Sequence, residues 1–546
     1  MISNPDAKSQ NTFDVVVLGG GLAGLTLCRQ LLLKRPDLKV AVVEKNRFPV
    51  SEAAHKVGES TVEIGAHYFS EILGLKKHLT DDQLPKFGLR FFFKDTFQSL
   101  AEGVEVGGSS FFKAPSYQVD RGRLENYLSE DVRALGVTIF DGSKVREVKI
   151  DESQDGEKGA AHEITIRREG AESQLRSRWI VDASGRASVI KRMLDLEEDL
   201  GHDINAVWFR VAAPIQIDSW CADPEWQEST GKVPRRWLST NHLMGEGYWV
   251  WLIPLASGST SVGIVADPRI HPLRSFNSLD KSLDWLRTHE PECASAMEPH
   301  LDNIQDYLAI KKMARGSRQV FSANRWGLVG EAAAFLDPFY SPGSDFIAIG
   351  NTMVTKLIDE DFNGRDISHL APTLQSVFLT LFHNNLLTYR DQYPLFGNPR
   401  IMAVKFVWDY AVYWGFPALL FFNEKLTDAG FIQTLSRGVE EIREMNVKMQ
   451  EFFRHWYEQD PNVDAIPAFV DQSNIEIMTR MNAELTDRLD DSALRQRFND
   501  NVELIRDLMN EITARVCESQ PRIPNPVNEM SFNQEHLRPV FDQLNI

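Results

Sequence analysis

The stretch VVVLGGGLAGL, residues 15–25, decides how the rest of the chain is read. Its apolar, largely β-branched start has the character of a strand buried in a parallel sheet, and TLCRQLLLKR directly after it has helical spacing. Between the two, Gly19-x-Gly21-x-x-Gly24 allows a tight turn and the close approach of a pyrophosphate to the helix N-terminus. A second β-branched run, KVAVV at 39–43, completes a βαβ unit. Glu44 ends that run, where a carboxylate would accept hydrogen bonds from an adenosine ribose. NAD and FAD share this fingerprint, so the choice falls to later segments.

Three of them bear on it. QVDRGRLENYL, residues 118–128, puts Arg121 between a strand and a helix. WIVDASGRASVIKRML ends a strand in the tight turn Asp182-Ala-Ser-Gly185-Arg186. RWGLVGEAAAFLDP, residues 325–338, puts Gly330-Glu331 at a strand end before a helix whose N-terminus would face a phosphate or a flavin ring. Together with the opening turn, the set resembles the FAD-binding flavoprotein monooxygenases and halogenases of the para-hydroxybenzoate hydroxylase fold. The resemblance implies FAD.

GYWVWLIPLASG, residues 247–258, sharpens the resemblance. Trp249 and Trp251 are two apart, which on a strand sets both indoles on one face; by itself that is ordinary core packing. But Trp249-Val-Trp251-Leu-Ile253-Pro254 is similar to the WxWxIP signature of flavin-dependent halogenases, and Phe335-x-x-Pro338-x-x-Ser341-x-Gly343 to their FxxPxxSxG signature. Gly58-Glu59-Ser60 falls on a segment that lies against the flavin in that family, and Lys86 in LPKFGLRFFF on its active-site lysine. The matches span about residues 13–350. The resemblance implies that reduced FAD, O2 and halide yield hypohalous acid, that the tryptophans line the space between flavin and substrate, and that Lys86 guides the reagent to an electron-rich ring. Ser341 and the two tryptophans join Lys86 as catalytic candidates. Lys56, just before the GES segment, is the second choice for the lysine.

Three positions depart from the family. Halide there rests on backbone N–H groups just after the motif serine, a small anion nest, but Pro342 has no N–H to give, leaving Gly343 and Ser344. Tryptophan halogenases carry a glutamate before the serine; this chain has Tyr340, which favours a phenol or pyrrole over free tryptophan. Glu331 replaces an aspartate, one methylene longer.

The expected architecture is α/β: a Rossmann-type FAD-binding domain with an inserted antiparallel substrate sheet and a helical C-terminal region. Residues 12–350 form the FAD-binding and catalytic module, the substrate-side sheet lies at about 200–315, and 351–546 form a helical cap. Residues 151–175 read as a solvated hairpin excursion. Trp408, Tyr410, Tyr413, Trp414 and Phe416 are dense enough to roof the substrate pocket, although such density also occurs in ordinary core. VKFVWDYAVYWGFPALLFF, residues 404–422, is interrupted by Asp409 and by a break at Gly415–Pro417, which argues for a buried or interfacial helix and against a transmembrane span.

The 546 residues carry 77 acidic and 59 basic side chains, a net charge of -18 that repels nucleic acid. Cys28, Cys221, Cys293 and Cys517 have neither CxxC nor metal-ligand spacing, and the polar start MISNPDAKSQNTFD lacks the regions of a signal peptide; both suggest the cytoplasm and no metal. The leading reading is an FAD-dependent halogenase-like enzyme acting on an activated aromatic, free or carrier-bound, with a separate flavin reductase supplying reduced FAD. The alternatives are an FAD-dependent hydroxylase or epoxidase without a halide site, for which Pro342 is the discriminating residue, and a non-catalytic flavin-binding protein.

Overall fold

Val15 to Leu18 are wholly buried because β1 (Thr12–Leu18) is an interior strand with both faces covered. It leads through the glycine turn into α1 (Leu22–Lys34) and on to β2 (Val40–Val43). β1 pairs in parallel with β2 on one side and with β3 (Ala171–Asp182) on the other; Thr138–Phe140 and Trp326–Leu328 extend the parallel row beyond them. In such a sheet, ligands bind outside the carboxyl ends of the strands, which is where the glycine turn lies. The computed structural model describes residues 11–53, 56–94, 99–151, 162–230, 235–461 and 467–520, together with 522, 523 and 526. Most of the MISNPDAKSQNTFD start, and residues 152–161 of the expected excursion, lie outside them. The described part of that excursion, His162–Arg168, pairs antiparallel with β3.

The second sheet stands on β4 (Asn205–Val211), β5 (Thr240–Gly245), β6 (Tyr248–Pro254) and β7 (Thr260–Ala266), antiparallel in the order β4-β7-β6-β5. It reaches beyond the expected 200–315. Leu89–Phe93 adds to β5 in parallel, Val104–Gly107 follows it, and Phe469–Asp471 from the C-terminal region closes the edge. Both faces of β6 are buried, and they serve different cores: Trp249 and Trp251 join the main one, while Tyr248, Val250 and Leu252 pack into a separate cluster.

The C-terminal helices are part of the same body. α2 (Gly343–Phe362) packs on α1, and Asn351 Nδ2 donates to Ala23 O and Thr26 Oγ1, both at 3.0 Å. α3 (Pro399–Tyr413), α4 (Ala429–Gln459) and α5 (Asp491–Ser519) complete the cap. The expected break at Gly415–Pro417 is instead a π-helical turn, Trp414–Ala418, which passes directly into Leu419–Phe422. A wider turn accommodates the N–H that Pro417 lacks, and the helix continues through the core. No helix among the described residues is long and apolar enough to cross a membrane.

Candidate active site

The three glycines of the first turn meet different demands. A Cβ on Gly19, where φ is +112°, would lie 2.3 Å from Ala183 O, and one on Gly24 would lie 2.0 Å from Gly19 O. Both are therefore fixed by backbone packing between β1, α1 and β3. A Cβ on Gly21 would meet nothing within 4 Å. It would project into a cavity of about 920 Å³ that the glycine turn, Glu44, Arg121, Ser184, Gly330, Glu331, Gly343 and Ser344 border together. Glu44 binds the turn itself, accepting from Gly20 N at 2.7 Å and Asn46 N at 2.8 Å. Arg121 donates to Val57 O and, at 2.7 Å, to Glu125 Oε1.

Two expectations change here. Asp182 does not border the cavity: its Oδ1 accepts from Ser184 N at 3.0 Å and its Oδ2 from Ile190 N at 2.7 Å. Its carboxylate is occupied in shaping the turn, so it positions Ser184 and Gly185 and is not itself a cofactor ligand. Gly330-Glu331 does not open a long helix. Gly330–Ala332 is one 3₁₀ turn, and the helix whose N-terminus faces the cavity is α2, starting at Gly343. Pro342 is its N-cap, with φ at -75°. The first-turn amides of Gly343, Ser344 and Asp345 have no intrahelical acceptor.

One segment, Val57–Glu63, borders three cavities in succession. Val57 and Gly58 lie on the large one. Glu59 and Ser60 line a narrow one of about 30 Å³ with Trp249, Trp251, Phe335, Pro338, Ser341 and Gly343. Val62 and Glu63 line a third, of about 370 Å³, with Lys86, Phe111, Phe112, Tyr410 and Trp414. The two motif tryptophans thus stand beside the narrow cavity, which shares Val57, Gly58, Phe335 and Gly343 with the large one. Ser341, at φ +58°, turns the chain there.

The tryptophans are held from behind. Trp249 Nε1 donates to Tyr393 Oη at 3.0 Å, Tyr393 donates to Asp337 Oδ2 at 2.7 Å, and His202 Nε2 lies 3.0 Å from the same oxygen. Trp251 Nε1 donates to Ser261 Oγ at 3.1 Å, and its ring occupies the space over Gly263, where a Cβ would approach within 2.3 Å. Glu59 is buried against Arg210 of β4, whose Nε donates to it at 2.7 Å while Nη1 reaches Asp306 at 2.9 Å. Burial raises the Glu59 carboxyl and the arginine opposes it. Arg210, Tyr393, Asp337 and His202 carry no motif signature in the sequence, and only long-range pairing brings them here.

Lys86 is 2% exposed, and its Nζ donates to Thr61 O at 2.7 Å. Burial draws its ammonium down to about 7, against the pull of the Glu63 and Asp345 charges. Asp345, in the first turn of α2, accepts from Gly65 N and from Tyr413 Oη, both at 2.8 Å, and burial pushes its carboxyl up to about 7. Lys56, the second choice, lies instead on the wall of the large cavity, where its Nζ pairs with Glu125 at 2.6 Å. Of the five aromatics expected to roof the pocket, Tyr410 and Trp414 do, stacked 4.8 Å apart. Trp408 donates to Asn446 inside the core, Tyr413 holds Asp345, and Phe416 packs on Phe498. Tyr340 turns away, donating to Asp409 Oδ2 at 2.8 Å beside Lys405.

Residues 12–260 match the family described as FAD binding domain. The flavin-dependent halogenase chlA of Dictyostelium discoideum is 29% identical over 437 residues, covering 75% of this chain and 70% of that protein. A pyrrole-2-carbonyl peptidyl-carrier-protein chlorinase of Pseudomonas fluorescens is 25% identical over 415 residues, 69% of this chain and 84% of its own. Among solved structures, halogenase PltM superposes with a TM-score of 0.63 at 16% identity, over 91% of this chain and 96% of its own, so the fold is shared. FAD fits the large cavity on the chain's own evidence: Gly21 leaves its side-chain space open there, and the α2 amides face it.

Proposed function

We propose that this chain, a relative of the flavin-dependent halogenases, uses reduced FAD, O2 and halide to halogenate an activated aromatic ring held beside Lys86. The observation that carries this reading is the row of three cavities along Val57–Glu63, with the motif tryptophans at the narrow one and a buried lysine in the aromatic one. In it, the Gly19–Gly21 turn, Glu44, Arg121, Gly330 and Glu331 hold FAD. The bound cofactor supplies the oxidising chemistry that turns halide into hypohalous acid. Gly343 and Ser344 amides hold the halide, assisted by the helix dipole. Trp249 and Trp251 keep the substrate from the cofactor while leaving a passage for a small molecule. Lys86, whose ammonium burial draws down to about 7, hydrogen-bonds hypohalous acid at its destination and polarises it toward the ring. A separate flavin reductase supplies reduced FAD, and the substrate is a phenol- or pyrrole-type ring, free or on a carrier protein; the carrier option draws on the chlorinase relative.

Pro342 supports a second reading, an FAD monooxygenase that uses no halide, because one donor of the anion nest is missing. Mass spectrometry of phenols and pyrroles after incubation with FAD, a flavin reductase, NADH and chloride or bromide separates the two. Halide-dependent addition of a halogen atom supports the first, and incorporation of oxygen from O2 without halide supports the second.

A further inference from the structure

Beside Lys86, the aromatic cavity holds a carboxylate that the mechanism above does not use. Glu63 is 6% exposed; its Oε1 accepts from Asn482 Nδ2 at 3.1 Å, while Oε2 is buried with no hydrogen-bond partner among the described residues. A buried carboxylate oxygen without a donor costs free energy that a protein normally avoids. No ion pair within 4.0 Å joins Glu63 to Lys86, whose Nζ is directed to Thr61 O. The Trp414 indole N–H likewise has no acceptor among the described residues; burial raises the Glu63 carboxyl, and the Lys86 charge and the nearby Trp414 and Asn482 side chains oppose that rise. The surrounding wall is apolar or aromatic: Leu79, Leu89, Phe111, Phe112 and the stacked Tyr410–Trp414 pair. A flat ring seated there with one polar donor would satisfy the orphan oxygen.

We propose that Glu63 is a catalytic residue that recognises a phenol hydroxyl and removes its proton as the ring is halogenated. This rests on the halogenase reading. Proton transfer selects phenol over pyrrole: a phenol ionises near 10, within reach of a carboxylate in a concerted step, whereas a pyrrole N–H is far less acidic. The step balances. The phenolic proton passes to Glu63 as the ring carbon forms its bond to halogen, and the halogen–oxygen bond of hypohalous acid breaks with its electron pair leaving as hydroxide, which takes a proton from Lys86 to become water. The ring C–H proton then returns to the lysine, and Glu63 returns its proton to the phenolate. Phenol and hypohalous acid have become halophenol and water, and both side chains are restored.

The test uses the full-length, FAD-loaded protein and two pairs of probes: resorcinol against 1,3-dimethoxybenzene, and pyrrole against N-methylpyrrole, with binding followed by tryptophan fluorescence. Wild type is expected to bind resorcinol at least 10-fold more tightly than its dimethyl ether and to distinguish the pyrroles less. Glu63→Gln should bring the first ratio within 2-fold and lower halogenation of resorcinol at least 100-fold in kcat, and Glu63→Asp should recover part of both. Thermal unfolding and FAD content of each variant establish that it is folded. Equal binding of phenol and ether by wild type, a stronger preference for pyrrole, or unimpaired turnover by Glu63→Gln overturns the proposal. If wild type yields no trappable hypohalous acid, the halogenase reading fails by itself, while the binding ratios still judge recognition by Glu63.

Discussion

Substituting alanine at Gly21 and at Gly24 should have opposite consequences, although both glycines belong to one motif. At Gly21 φ is -81°, an ordinary value for alanine, and the new methyl would meet no protein atom within 4 Å. Two small terms oppose each other in the protein without cofactor. Alanine is worse than glycine at a helix N-cap by about 1 kcal/mol, and restricting the unfolded chain returns about 0.4–1 kcal/mol. The apoprotein should therefore keep its stability to within about 1 kcal/mol. The same methyl stands where the pyrophosphate approaches the backbone, and each charge-assisted hydrogen bond lost there is worth about 1.5–3 kcal/mol. At 1.4 kcal/mol per decade, losing one bond weakens FAD binding roughly 10- to 100-fold. At Gly24, by contrast, the methyl would be 2.0 Å from a backbone oxygen, and relieving that overlap costs about 3 kcal/mol before any cofactor is present. FAD titration by fluorescence quenching and urea unfolding of the two apoproteins measure both quantities. Undiminished FAD affinity in Gly21→Ala, or equal destabilisation of the two apoproteins, would refute the division of roles among the glycines.

Lys86→Ala should abolish halogenated product while reoxidation of the reduced cofactor by O2 continues, because the lysine acts after that stage; retention of most product would dismiss the assigned role. Pro342→Ala restores an N–H at the N-cap of α2 without adding a hydroxyl that would cap the same amides. Halide use should tighten by about 1–3 kcal/mol, and wild type should favour bromide, which is cheaper to desolvate than chloride; a strong chloride preference in wild type contradicts this. Asp345 has its carboxyl raised from 3.8 to about 7, so the folded state binds a proton that the unfolded state releases between those values. Its contribution is thus fully stabilising below about 4 and lost as pH rises through about 7. Asp345→Asn should flatten that decline in urea midpoints between pH 4 and 7, and an unchanged slope would assign the decline elsewhere.

What the sequence disclosed, it disclosed where the determinants are local. The βαβ start follows from a run of apolar residues and three glycines, and the placement of both indoles on one face follows from the two-residue period of a strand. Lys86 is singled out by motif resemblance alone; nothing in LPKFGLRFFF indicates that the lysine is buried, since that depends on Thr61 and the helical cap. Asp182 misled because a strand-end acid near a glycine turn is consistent with either ligand binding or turn formation, and the hydrogen bonds to Ser184 and Ile190 decide for the turn. Arg210, Asp345 and the free oxygen of Glu63 were invisible because each is defined by partners far away in the chain. Gly415–Pro417 resembled a break because the usual cost of proline assumes regular α-helical bonding, which the π turn relaxes.

The edge strand Phe469–Asp471 also gives the molecule a schedule. A chain emerges from the ribosome N-terminus first and its domains form as they become available. Once residue 362 is out, β1, β2, β3, α1 and α2 are all present, and the FAD cavity has every one of its walls. The aromatic chamber must wait: its roof at Tyr410 and Trp414 comes later, and Asn482, which secures Glu63, later still, just after the strand that seals the substrate sheet. During synthesis, then, the part that would make a corrosive reagent is complete before the part that would contain it.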